Sequence, residues 1–191
     1  MTPHALLLVA LLGIPGTLRV TPSDPPLKVA VLSIELNNLH KTTPDSSLAG
    51  RIQGLGAALA ARLATTCGYQ IVAIDSSAPA AAHLGEGYLY DHPDVAAGLA
   101  AAAGAEWVVV PRLNRASAWA ADLQAHVVRV RDSSVISNRI VELKGLELGP
   151  ELAARLELRG AAWMADQLSQ AIELAQHPGT TPLRRCSPGA P

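Results

Sequence analysis

An unbroken apolar run, Trp107-Val108-Val109-Val110, follows directly on Gly104-Ala105-Glu106. Its β-branched and aromatic residues favour a strand, and with no polar position in it both faces of that strand must be covered. A strand of this kind belongs in the middle of a sheet with helices packed on either side. Gly104 is placed to end a helix just before it, and Pro111 interrupts it with a residue that cannot donate to a ladder, which predicts a bend or bulge.

The chain before this run reads as β/α wrapping. Leu27 to Leu36 predicts a strand with a continuously apolar centre at Val29–Leu32. Leu48, Ile52, Leu55, Leu59 and Leu63 then recur at helical spacing, with Asp45 or Ser46 able to cap the start and Gly68 suited to the left-handed position past the end. Tyr69 to Asp75 predicts a second strand, and Ser76 to His92 a long connection. Pro93 opens a further helix at its preferred first position, with Asp94 near the positive end of the dipole.

After the run, Trp119 to Arg131 alternates, with Leu123, Ala125 and Val127 on one side and Asp122, Gln124 and His126 on the other. Asp132-Ser133-Ser134 is a turn, Val135 to Lys144 a final strand, and Pro150 begins a last helix striped by Leu152, Leu156, Trp163, Leu168 and Ile172. The expected fold is therefore α/β: a single mixed sheet of about five strands, element order β-α-β-α-β-β-β-α, the first three strands parallel, the last two antiparallel, and helices on its faces. Residues 1–26 read as a signal-like segment and linker, 27–176 as one α/β domain, and 177–191 as a disordered tail.

Charge excludes one class of partner. The formal net charge is −1 and the lysines are Lys28, Lys41 and Lys144, so the basic patch of a nucleic-acid binder is missing. Ala5 to Ile14 is apolar but shorter than the ~20 residues a bilayer span needs. It suits the core of a secretory leader, which implies a periplasmic or secreted protein with no stable membrane span after processing. Cys67 and Cys186 form no metal or redox motif. They are either unrelated or a disulfide pinning the tail, and the second reading requires an oxidising compartment.

In open α/β sheets ligands bind beyond the carboxyl ends of the parallel strands. Those ends supply Glu35, Asn37, Asn38 and His40 from the first strand, Asp75 from the second, and Arg112, Asn114 and Arg115 from the third. His83, Asp91 and His92 in the long connection are metal-capable, although their spacing matches no motif that sets two imidazoles on one helix face, and Asp91 and Asp94 serve equally as helix caps. Gly50, Gly54 and Gly56 fall inside a helix, where close packing on the sheet explains them better than a phosphate loop does. Tyr88 and Tyr90 would share a face if they lay on a strand, and Trp107, Trp119 and Trp163 read as core or near-core.

Four segments together, Val29 to Leu36, Gly104 to Val110, Arg115-Ala116-Ser117 and Val130-Arg131-Asp132, resemble a bacterial exported family of unknown function, over about Leu27 to Leu174. The chain departs from that pattern at Pro111, where the family has Gly, and lacks the Gly expected soon after Asp132. The resemblance implies a fold of the type seen in the N-terminal domain of TolB and in curli-secretion lipoproteins, and an accessory role in the envelope. It carries over no catalytic residue and no cofactor. Three functional readings follow: a non-enzymatic envelope module binding a protein partner; a small hydrolase or metal-dependent enzyme on the loop 75–94; or a carrier of a small polar ligand at the strand ends.

Overall fold

The computed structural model describes residues 25–39, 46–65, 67–75, 85, 87–117, 120–144 and 150–179. The leader-like run, Trp119 and the segment after Gly179 lie outside the described residues. The strands are β1 (Lys28–Val31), β2 (Glu35–Asn37), β3 (Gln70–Val72), β4 (Trp107–Arg115), β5 (Ala120–Arg129) and β6 (Ser134–Lys144). The helices are α1 (Ser46–Thr65), α2 (Tyr88–Asp91), α3 (Pro93–Ala102) and α4 (Pro150–Gln176).

One mixed sheet runs in the order β3-β1-β4-β5-β6, with β2 also paired to β4. β1 is parallel to β3 and β4, while β5 and β6 add antiparallel. The expected mixed architecture is present, with two differences: the short helix α2 precedes α3, and the expected first strand is two strands.

The break in that strand has a physical cause. Val31 pairs with Val109 and Glu35 with Arg112, so the first strand carries one residue more than β4 over the same stretch. Leu32 N–H still donates to the Val109 carbonyl at 3.0 Å. Peptide groups alternate sides along a strand, so the donor that Pro111 lacks would point the same way, toward β1 and β2. With no bond available there, the facing chain bulges. A one-residue bulge exchanges the two faces of everything after it. Ala30 and Leu32 pack with the α3 side, whereas Ile34 packs with the α1 side. Glu35 and Asn37 are thereby turned away from α1 and α4.

The core forms two layers, one on each sheet face. On one, Leu55, Leu59 and Leu63 of α1 and Met164, Leu168 and Ile172 of α4 meet Val109, Leu113, Leu123 and Val127. On the other, Ala96, Ala97 and Ala100 of α3 lie against Ala30, Val108, Val110 and Val128. β4 is thus sandwiched, as its apolar run requires. Arg51 pairs with Glu157 and Arg62 with Asp166, tying α1 to α4, and Tyr69 Oη shares a 2.8 Å hydrogen bond with Ser169 Oγ inside the layer.

Close helix–sheet contact does require a glycine, but not in α1. A Cβ on Gly50 or Gly54 would meet nothing within 4 Å, and one on Gly56 would make only ordinary contact with Ile34. Close packing on the sheet therefore does not account for the glycines of α1. At Gly160 of α4 a Cβ would come within 2.5 Å of Leu143 Cδ2, so it is Gly160 that lets α4 reach β6. Trp163, expected near the core, is 53% exposed. The inward face of α4 is instead filled by Ala161, Met164, Ala165 and Leu168.

Candidate functional site: a polar quadrant of the sheet

Register places polar side chains in rows across the α3 side of the sheet. Glu35 of β2 stands beside Arg112, Arg112 beside Gln124, and Gln124 beside Ile140. The next row is Asn37, Asn114, Asp122 and Glu142. Residues in register share a face, and alternation puts Leu36, Leu113, Leu123 and Val141 on the opposite, apolar face. The quadrant is most enclosed at Asn114, 9% exposed, and opens toward the edge, where Ile140 is 55% exposed. Asn37 Nδ2 donates to Asn114 Oδ1 at 2.9 Å, which satisfies the amide in the enclosed part.

The one-turn helix α2 closes the upper end. Glu35 accepts the backbone N–H groups of Leu89 at 3.2 Å and Tyr90 at 3.3 Å. An anion at these unpaired donors is favourable in hydrogen bonding and in dipole alignment. Gly87, just before α2, has φ +78, and a Cβ there would lie 3.4 Å from Arg112 Nη1. A glycine at this position suits both the left-handed backbone and the nearby guanidinium.

Tyr90 is buried and organises the contacts beneath α2. Its ring stacks on His126 with centroids 3.9 Å apart, and Arg112 Cζ lies 3.9 Å from the Tyr90 centroid. Its hydroxyl donates to Asn138 Oδ1 at 3.0 Å and approaches Gln124 Oε1 at 3.3 Å. Arg112 reaches Asp91 at 3.4 Å and Gln124 at 3.3 Å. Arg112 Nε and His126 Nδ1 are buried without a hydrogen-bond partner among the described residues.

Burial raises the Tyr90 phenol pKa, against the nearby Arg112 charge and the Asn138 hydrogen bond, so the ring stays neutral at physiological pH. Burial lowers the His126 pKa, aided by the Arg112 cation and opposed by a hydrogen bond to the Tyr90 backbone. A depressed pKa means that neutral His126 contributes stability in full above the ordinary histidine value, and that this is lost as pH falls through the folded value. The melting temperature is therefore expected to fall as pH drops below about 6.5. His126→Gln should flatten that part of the curve, and scanning fluorimetry from neutral pH down to the onset of carboxylate titration measures it. Identical slopes in the two proteins would contradict the assignment.

Of the residues expected at the site, Glu35, Asn37, Arg112 and Asn114 do gather, and Asp91 joins them through Arg112. Alternation puts Arg115 on the opposite face from Arg112 and Asn114. Asn38 follows the end of β2, and Asp75 is exposed beyond β3 at the far edge of the sheet. His92, between α2 and α3, is turned back onto α2, stacked on Tyr88 at 4.0 Å with Nδ1 2.8 Å from the Tyr88 carbonyl. His40, His83 and Cys186 lie outside the described residues. Among the described residues no three His, Cys, Asp or Glu side chains gather as a metal site. Tyr88 and Tyr90 do not share a face: both are on α2, and only Tyr90 is buried. Tyr90, Gln124, His126 and Asn138 complete the cluster without being among the strand-end candidates. The polar side of β5 was visible as alternation, but only the hairpin register aligns it with Arg112.

The residues of the Val130-Arg131-Asp132 motif build the β5–β6 turn. Asp132 Oδ1 accepts Ser134 N–H at 3.2 Å and Ser134 Oγ–H at 2.6 Å, and Arg129 Nε donates to both carboxylate oxygens. These bonds, Arg129 foremost, hold the Asp132 pKa well below the usual carboxylate range. Ser133 takes φ 55, in the left-handed region that favours glycine.

Fold and site define an open mixed α/β sheet, covered by helices on one face and only in part on the other. The chain belongs to the family DUF3280, described as "Protein of unknown function (DUF2380)", whose model matches residues 27–148. No curated protein matches the sequence. Among solved structures, a PelC dodecamer from Paraburkholderia phytofirmans is similar, at 14% identity and TM-score 0.50 over 75% of this chain and 88% of PelC. The LpoB C-terminal domain from Salmonella enterica is 16% identical with TM-score 0.43, over 64% of this chain and 87% of that domain. TolB from Acinetobacter baumannii is 15% identical with TM-score 0.43, over 81% of this chain and 29% of TolB. The PelC likeness is one of fold.

Proposed function

We propose that this protein is an exported, non-enzymatic accessory module that holds a protein partner in the cell envelope. The observation that carries the reading is the polar quadrant opening directly onto β6, an eleven-residue strand at the edge of the sheet. An edge strand offers a row of backbone donors and acceptors to an added strand, and flanking side chains supply selectivity. Val135, 43% exposed, and Ile140 are apolar positions on that strand. Among the described residues, three chemistry-capable groups are engaged in holding structure: Glu35 on α2, Asp91 on Arg112, and His92 on Tyr88. PelC, which shares the fold, is described as a dodecamer, so a fold of this kind is compatible with protein assembly. Export is supported by the apolar run Ala5–Ile14.

A photo-crosslinking residue at position 140, in the full chain expressed in its native host, tests this. A protein adduct in the envelope fraction, lost when Asn138→Lys is added on the same edge, supports the reading. No adduct at position 140, or an equal one at Leu158 on the outer side of α4, overturns it.

A further inference from the structure

The edge strand β6 carries a cation that the fold leaves uncompensated. Arg139 stands beside Ala125, one alternation along from the Leu123–Val141 pair, so it projects on the face covered by α1 and α4. Among the described residues no hydrogen bond or ion pair holds its guanidinium, and its Nε is buried without an acceptor. By contrast Arg51, Arg62, Arg112, Arg129 and Lys144 each face a carboxylate. Arg155 and Arg159 are exposed to water on α4. A half-buried N–H donor without a partner is unfavourable, and an incoming acceptor relieves it.

Alongside this cation α4 supplies an apolar shelf. Gly160 is where α4 touches β6, against Leu143 and Val141. Trp163, one turn on, lies on the side of Gly160 away from the buried Ala161, Met164 and Leu168. Leu174 returns to the same flank about three turns later. Trp163 is 53% exposed and Leu174 42%, and both stand past the β6 edge rather than over the sheet.

We propose that the strand accepted by β6 is an extended segment of an envelope protein in which one Asp or Glu, opposite Arg139, is flanked by apolar residues. This rests on the reading of β6 as the docking edge and names the partner's chemistry. Side chains directly opposite on paired strands lie about 4.5–5.5 Å apart at Cβ, which brings a carboxylate onto the guanidinium. Same-face neighbours of that acid, two residues away, meet the Trp163 shelf, and the alternate side chains meet exposed Ile140 on the other face. A cation opposite Arg139 is repelled. A second copy of β6, paired about a two-fold axis, does not supply the acid: Glu142 is the acid of β6 and lies on the opposite face from Arg139.

The test combines the photo-crosslinking residue at position 140, in the full chain in its native host, with changes at 139 and 163. Arg139→Glu should cut the adduct at least about ten-fold, and Arg139→Lys should keep most of it. Trp163→Ala should reduce it several-fold. Should Arg139→Glu unfold, as scanning fluorimetry reads, Arg139→Gln removes the charge, keeps the stem and carries the same expectation of loss. Mass mapping should place the attachment in an apolar stretch with one acidic residue. Changing that acid to Lys in the partner should restore the adduct to Arg139→Glu. No adduct at position 140 removes the docking edge and this assignment together. An adduct lost in Asn138→Lys but unchanged in Arg139→Glu and Arg139→Gln leaves the docking edge standing and overturns the acidic segment. Attachment to a basic stretch, or to a second copy of this chain, overturns it too.

Discussion

Leu123→Ala is expected to lower the free energy of unfolding by about 2–5 kcal/mol. Leu123 is fully buried in β5, with Leu113 on one neighbouring strand and Val141 on the other. It faces the layer made by α1 and α4, so truncation opens a cavity that three packed elements must close together. Total stability for a domain of this size is about 5–15 kcal/mol, which makes this loss a large share of it. Urea denaturation followed by far-UV circular dichroism reads it as a lower midpoint with an unchanged slope. Ile140→Ala is the control in the same sheet: Ile140 is 55% exposed, and its truncation should move stability by no more than about 0.5 kcal/mol. Equal effects at the two positions would mean that the inner and outer faces have been assigned wrongly.

The second large effect is expected at Glu35. Glu35→Ala removes the acceptor of two backbone N–H groups, those of Leu89 and Tyr90. Hydrogen bonds to a charged group contribute about 1.5–3 kcal/mol, and a shared acceptor puts the combined loss at about 2–3 kcal/mol. Glu35→Gln keeps one acceptor oxygen and should recover roughly half of it. The change should be local. Amide hydrogen exchange of Tyr88 to Asp91 should accelerate by an order of magnitude or more, while the amides of β5 remain protected. Uniform acceleration through the sheet would show instead that Glu35 supports the whole fold. Because α2 carries Tyr90 over Arg112 and His126, the alanine variant should also weaken crosslinking at position 140, whereas the glutamine variant should largely preserve it.

Glu35 also shows how far this protein can be read from its residues. Its position near the end of the first parallel strand follows from the apolar run before it, and so does its membership of a polar group with Asn37, Arg112 and Asn114. Which way it points does not. Simple alternation from Ala30 would place Glu35 on the face covered by α1 and α4. The extra residue opposite Pro111 reverses that, and a proline in β4 bears on β2 only because the two strands are adjacent in space. Arg115 is the converse case. It stands at the same strand end as Arg112 and Asn114, but the period of two in a strand sends it to the other face. Trp163 lies on a helical stripe and is nevertheless exposed, because Ala161, Met164, Ala165 and Leu168 fill the side of α4 that meets the sheet.

The Val108–Val110 run determined by itself that a central strand with cover on both sides would form, because no exposed arrangement of those side chains avoids burying them. Local chemistry likewise set the glycine helix end at Gly104, the Pro93 helix start and the Asp132 turn, each of which depends on residues close by in the chain. Only the tertiary structure decided that Tyr90 would sit between Arg112 and His126, that Glu35 would hold α2, and that the polar quadrant would open at β6. Those contacts join residues tens of positions apart, and they depend on register and on a bulge, which pairing between distant strands creates.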